Sequence, residues 1–285
     1  MTLQRSPVRR LRDVVFYLIV AGLSANFVLL IVLLLAADLM FTSPAEIVKA
    51  LQKPEIRAAF GLTLSTCTIT AVLSVWVATP LGYALSRYRF PGRSVVDTIV
   101  DIPIVLPPLV LGLSLLILFH QPFPFSQWLF PDSNWQLETW LRDRVGFPVT
   151  FRWPAVILAQ FAVACAFAVR TMRVTFDQID PRAEDVARTL GCTRGQAFMH
   201  VALPQAWRGV IAAGTIAWAR ALGEFGPILV FAGSTRFRTE VLSTTVFLEL
   251  SVGQLDAAVA VSLLMVAMAI VVLVTLRWLG AGLST

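Results

Sequence analysis

Long apolar runs alternate with short, arginine-bearing polar segments along the whole chain. Crossing a bilayer takes roughly twenty consecutive apolar residues. Six runs reach that length: Val14–Ala37, Ala58–Leu85, Val95–Phe119, Trp153–Phe176, Gly209–Ala232 and Asp256–Leu279. The pattern predicts an all-α membrane protein with six transmembrane helices. The first run follows a basic start (Arg5, Arg9, Arg10, Arg12) but is too long for a signal-peptide core, so it reads as an uncleaved first span. With the N-terminus inside, fourteen basic residues fall in the inner segments (5–12, 87–93, 170–208 and 277) and eight in the outer ones. This bias places both termini in the cytoplasm.

Several runs carry residues that a plain span avoids. Pro80 sits late in the second, and Pro103, Pro107 and Pro108 lie in the first half of the third. Each proline removes a helix hydrogen bond, and in hydrocarbon the freed carbonyl needs another partner. A kinked packing helix and a broken helix lining a cavity both account for them. The fifth run holds Arg220 and Glu224, four apart and so on one helical face. Charges at that depth cost roughly 3 kcal/mol each on insertion scales. Either they form a salt bridge that lets the helix insert, or they flank a translocation path on which Arg220 attracts an anion and Glu224 orients it. Gly223, Gly226 and Pro227 permit close packing and unwinding beside the pair. Phe225, Gly226, Pro107 and Pro108 complete the path candidates. Asp97 and Asp101, at the start of the third run, read as charge compensation at a helix N-terminus.

Two polar segments stand apart. The outer one, His120 to Arg152, is rich in proline and aromatics (Phe123, Phe125, Trp128, Phe130 and Trp135 among them), with a short helix-like stretch from Trp135 to Val145. Interfacial anchoring is one reading; an amphipathic lid or a surface for an extracytoplasmic partner is the other. The second segment, Asp180 to Pro204, reads as two short helices joined at a turn. Asp180 suits an N-cap and Pro181 a first helical position. Gly191 suits a left-handed end, Thr193 with Gln196 forms a capping box, and Pro204 is expected to stop the second helix. A rigid elbow projecting from a membrane bundle is a docking device.

Composition narrows the class. The chain is 57% apolar and only 14% charged, with mean hydropathy +0.77, which excludes a soluble domain of this size. A net charge of +6 would suggest nucleic acid in a soluble protein, but these arginines cluster at the ends of apolar runs, so no nucleic-acid partner is expected. Cys67, Cys165 and Cys192 have neither metal nor disulfide spacing. The two histidines, His120 and His200, fall on opposite sides of the membrane, which leaves no zinc-site logic. There is no P-loop and no nucleophile elbow, so no catalytic or metal-binding residue is expected.

The elbow resembles the EAA loop of ABC importer permeases, whose pattern is EAA-x3-G-x9-I-x-LP. Asp185-Val186-Ala187 stand for EAA, with Glu184 supplying a carboxylate one position earlier. Gly191 follows after three residues, and Val201-Ala-Leu203-Pro204 after nine more. Thr63-Leu-Ser, Pro80 to Arg93, Pro103 to Gly112 and Ala219-Arg-Ala-Leu-Gly-Glu-Phe-Gly226 are similar to the molybdate/tungstate/sulfate branch. The resemblance implies a type I ABC importer permease fold. Residues 1–57 would form the tail, first helix and outer segment, and residues 58–285 a five-helix core with a coupling loop at 177–207. It implies that Glu184, Asp185, Val186, Ala187, Gly191, Val201, Leu203 and Pro204 couple to cytosolic ABC ATPase subunits, which carry ATP and Mg. No cofactor is then bound by this chain. A second permease copy in a homodimer, an extracytoplasmic substrate-binding protein and the lipid bilayer are the remaining partners. The setting implied is the cytoplasmic (inner) membrane of a bacterium or archaeon. The cargo implied is an oxyanion (molybdate, tungstate or sulfate), with ferric iron as the alternative. A stand-alone ion-coupled transporter rests only on the buried charge pair.

Overall fold

A computed structural model of the chain describes residues 7–121 and 136–282; the aromatic positions 123–135 of the outer segment lie outside it. The described residues form helices and contain no strand. They are α1 (Pro7–Phe41), α2 (Pro44–Gln52), α3 (Pro54–Arg87), α4 (Arg93–Val105), α5 (Pro108–His120), α6 (Leu137–Trp140), α7 (Trp153–Gln178), α8 (Arg182–Thr189), α9 (starting at Arg194–Ala197), α10 (Trp207–Leu222), α11 (Gly226–Phe231), α12 (Leu242–Ser251) and α13 (Leu255–Gly282). The helix-like stretch expected in the outer segment is α6, which continues as a π-helical turn over Leu141–Val145.

The core is α3, α7 and α10 packed through small residues. Ala71, Ala78 and Gly82 of α3 meet Ala164, Ala168 and Met172 of α7, while Ala213, Ala217 and Ala221 of α10 close the third side. In hydrocarbon, helices gain little from apolarity alone, so close backbone approach and dispersion hold them together. Gly82 shows how close: a Cβ there would lie 2.8 Å from the Met172 Cβ. At 34 residues α3 is about 51 Å long. It runs through Pro80 unbroken and connects the two ends of the bundle. By contrast α1, apolar all round, is exposed along its span and touches α13 only lightly.

Among the described residues four helices are long and apolar enough to cross a membrane, at Asp13–Phe41, Pro54–Arg87, Trp153–Gln178 and Leu255–Trp278. The third expected span is a pair, α4 and α5, bent by 114°, so the broken-helix reading of its prolines replaces the kinked one. Leu106 and Pro107 each precede a proline, which disfavours the helical region, and both are extended. The fifth expected span is not one helix either. Its first part, α10, has 16 residues, and after Gly223–Phe225 the chain resumes as the six-residue α11. Asp97 also departs from expectation. It lies past the first turn of α4, beyond the reach of the helix dipole, and pairs with Arg173 of α7.

Candidate functional site

The elbow forms as its caps dictate, with two corrections. The Asp180 carboxylate accepts from the Arg182 N–H at 3.0 Å, and α8 begins at Arg182, one residue later than expected. Gly191 adopts φ +98° and lets the Cys192 N–H reach the Ala187 carbonyl at 3.1 Å, closing the helix. Thr193 and Gln196 form the reciprocal capping box. Pro204, however, does not stop α9. The helix widens into a π-helical turn over Phe198–Ala202 and carries on through Leu203–Gln205 before a single turn residue leads into α10. A π turn relocates the carbonyl with which the proline ring would clash.

The elbow is bolted to the bundle by one carboxylate. Glu184, 6% exposed, accepts from the Tyr83 hydroxyl at 2.5 Å and from Arg87 Nε at 2.8 Å. Arg87 Nη2 also donates to the Ile179 carbonyl at 2.9 Å, which caps the orphan end of α7. One guanidinium therefore joins the ends of α3 and α7 to the start of α8. Around it the Tyr83 ring meets Phe198 at 4.6 Å and Phe176 at 5.3 Å, and Arg194 lies over Tyr88. Asp185, the motif's formal acid, points outward and pairs loosely with Arg188 at 3.5 Å. Val186 and Leu190 stand exposed at 58% and 80% on the free face. Val201 and Leu203 are half-buried, and Leu203 and Pro204 border an open apolar groove of about 900 Å³ between α9 and the Pro80 region of α3. Sequence reasoning missed Tyr83 and Arg87 as partners of Glu184. Their only signal was an arginine at the end of a run.

The two helix breaks pack against each other. A Cβ on Gly112 would lie 2.8 Å from the Pro227 Cα, so that position demands glycine, and one on Gly226 would press on the Pro108 Cβ at 3.0 Å. The Pro107 carbonyl receives the first N–H groups of α5. Beside this junction Arg220 Nη2 approaches Glu224 Oε1 to 2.8 Å. Glu224 lies in the break rather than on α10, and is 1% exposed. The contact is close but poorly aligned for a hydrogen bond, and Arg220 Nε is buried without a partner among the described residues. The guanidinium also lies over the Phe167 ring at 5.4 Å, and Phe225 stacks against Phe247 at 5.0 Å. Gln160, another residue that sequence reasoning missed, donates to the Ala221 carbonyl at 3.2 Å and accepts from Thr70. It is a second donor to that carbonyl, which also receives the Glu224 N–H at 3.3 Å, so Gln160 ties α7 to the end of α10 in the middle of the core.

Known proteins agree with this architecture. The family model described as binding-protein-dependent transport system inner membrane component matches residues 78–284. The sulfate transport system permease protein CysT of Escherichia coli (strain K12) is 30% identical over 262 residues, 90% of each chain. The molybdate/tungstate transport system permease protein WtpB of Thermococcus kodakarensis is 32% identical over 233 residues, 82% of each chain. Among solved structures, a bacterial alginate ABC transporter in complex with an alginate pentasaccharide-bound periplasmic protein shares the fold, with a TM-score of 0.73 at 18% identity over 96% of each chain. The chain belongs to the family of binding-protein-dependent transport system inner membrane components.

Proposed function

We propose that this chain is the permease subunit of an ABC importer for a tetrahedral oxyanion. The observation that carries the reading is the elbow. A short, well-capped helix is bolted at its base by Glu184 to Arg87 and Tyr83, and it presents Val186 and Leu190 outward. An eight-residue helix has little stability of its own, so motion imposed on its free face passes through the bolt into α3 and α7. The free face, from Asp185 to Leu190, docks on a separate cytosolic ATPase chain that binds ATP and Mg, while this chain binds no cofactor. The break between α10 and α11 completes a fifth span and the bent α4–α5 pair a third, giving six spans with both termini in the cytoplasm. Residues 58–285 are then the five-helix core, in the cytoplasmic membrane of a bacterium or archaeon. A second copy of the chain completes the path, and an extracytoplasmic binding protein delivers the anion.

In this reading the paired breaks line the path. Arg220, Glu224, Phe225 and Gly226 face it from one side, Pro107 and Pro108 from the other. Rocking about these unwound joints alternates access, so that ATP binding at one site biases a two-state element elsewhere. The oxyanion assignment rests on the sulfate and molybdate/tungstate permeases among the relatives. The test is uptake by proteoliposomes holding the permease, its ATPase and its binding protein. ATP-dependent accumulation of labelled sulfate, molybdate or tungstate supports the reading. Accumulation of ferric iron instead, or uptake driven by an ion gradient without ATP, overturns it.

A further inference from the structure

At the opposite end of α3 from the elbow lies a cavity of about 280 Å³ lined by Lys53, Glu55, Arg236, Glu240, Thr245 and Glu249. Glu240 is 3% exposed, yet it is only half satisfied. Its Oε1 accepts from the Thr245 hydroxyl at 3.0 Å, while Oε2 is buried with no partner among the described residues. Glu249, also buried, has Lys53 Nζ at 3.9 Å and Arg236 Nη2 at 3.8 Å, both beyond hydrogen-bond length and both borne on substantially exposed side chains. Three carboxylates thus face two loosely held cations. Burial pushes the Glu240 carboxyl above its ordinary range. Glu249 and Glu55 add to the rise, while the Thr245 hydrogen bond and Arg236 oppose it.

A proton on Glu240 would cancel the charge but leave a buried O–H with no acceptor, so it neutralises the site without satisfying it. No group of three or more His, Cys, Asp or Glu among the described residues is arranged to hold a metal ion. An organic cation suits the site better, because an ammonium or guanidinium in the cavity donates to Glu249 and restores neutrality beside the buried Glu240 carboxylate. The cavity has room, at roughly nine times the liquid volume of one water. Its rim is built as a fixed projection. The N–H groups of Arg238, Thr239 and Glu240 all bond the Thr235 carbonyl, and the turn they close carries the lining residue Arg236 and, next to it in the chain, Phe237, 61% exposed.

We infer that this pocket receives a lysine or arginine side chain of the extracytoplasmic binding protein, with Phe237 as the apolar contact beside it. The inference rests on the proposed topology, which puts this end of α3 outside. The permease–ATPase complex in nanodiscs is titrated with its binding protein, comparing wild type with Glu240→Gln, Glu249→Gln, Glu240→Lys and Phe237→Ala. The glutamine variants are expected to weaken association at least tenfold and Glu240→Lys further, with melting temperatures at or above wild type. Methylguanidinium should compete on wild type better than potassium at equal ionic strength. Association within twofold of wild type for both glutamine variants and for Phe237→Ala overturns the inference. So does a Glu240-dependent rise in melting temperature in potassium or magnesium, which would make the occupant an inorganic cation. An Arg238→Cys variant labelled in intact cells by a membrane-impermeant maleimide checks the side independently. Labelling only after the membrane is opened would reject the topology itself.

Discussion

Removing the Glu184 carboxylate is the sharpest perturbation of the elbow. Glu184→Ala takes away the acceptor of the Tyr83 hydroxyl and of Arg87 Nε, leaving Arg87 with the Ile179 carbonyl and a long contact to Ser86. Breaking a fully buried ion pair by deleting one partner costs about 3–5 kcal/mol. Here the Arg87 side chain is 12% exposed and lines a water-accessible pocket, so part of its charge rehydrates. A cost of about 2–4 kcal/mol follows, concentrated on α8. At 1.4 kcal/mol per tenfold, local opening should become about 30- to 700-fold more frequent. Amide hydrogen exchange across residues 182–189, with the chain in nanodiscs, reads this directly. Replacing both partners, Glu184→Leu with Arg87→Met, should recover most of the loss, because no unpaired charge then remains buried. Exchange in Glu184→Ala within threefold of wild type would refute the reasoning, as would a double variant whose loss equals the sum of its parts.

Other perturbations have equally definite outcomes. Gly191→Ala meets no atom within 4 Å, so its cost is conformational, about 1–2 kcal/mol for a non-glycine at φ +98°; co-purification with the ATPase should weaken, and an unchanged yield would count against the turn's role. Gly112→Ala drives a Cβ into the Pro227 backbone and should lower stability by about 1–3 kcal/mol, whereas Gly61→Ala, with open space around it, should not; equal unfolding midpoints would show that the joints do not hold each other. Arg220→Ala strands the buried Glu224, so adding Glu224→Gln should restore folding but not uptake; normal uptake in either well-folded variant leaves the pair a structural salt bridge. Glu240, with its proton affinity raised on folding, contributes stability that is full below the unfolded carboxyl value of about 4.3 and is lost as pH rises through the folded one. The melting temperature should therefore fall from pH 4 to 8 more steeply in wild type than in Glu240→Gln, and parallel slopes would reject the assignment.

Helix ends were largely legible because they are local. At the elbow Gly191 is left-handed and Thr193 with Gln196 forms the capping box, both as expected, although α8 starts one residue late and Pro204 ends no helix. Prolines were harder to read, since their effect depends on what surrounds them. Pro80 and Pro103 ride inside helices, while the adjacent Pro107 and Pro108 snap one. A single proline forfeits one hydrogen bond, which a neighbouring turn absorbs. Two in a row force two successive residues out of the helical region, which no helix absorbs.

The elbow was legible in position but not in register. Spacing located the elbow and pointed to Asp185 as its acid, yet the buried carboxylate is Glu184. One residue is a rotation of about 100° around a helix, which separates the face bolted to α3 from the face left free. Nothing within Arg182–Thr189 decides which face is which; Tyr83 and Arg87, a hundred residues away in sequence, do. The same logic explains why no role could be read for Glu240 in the sequence. A carboxylate in a polar loop is ordinary until the fold buries it, and its meaning then depends on a partner group that the described part of this chain does not supply. Residues that act within one element are readable from that element. Those that join elements, or join this chain to another, become readable only once the fold has brought the other side into contact.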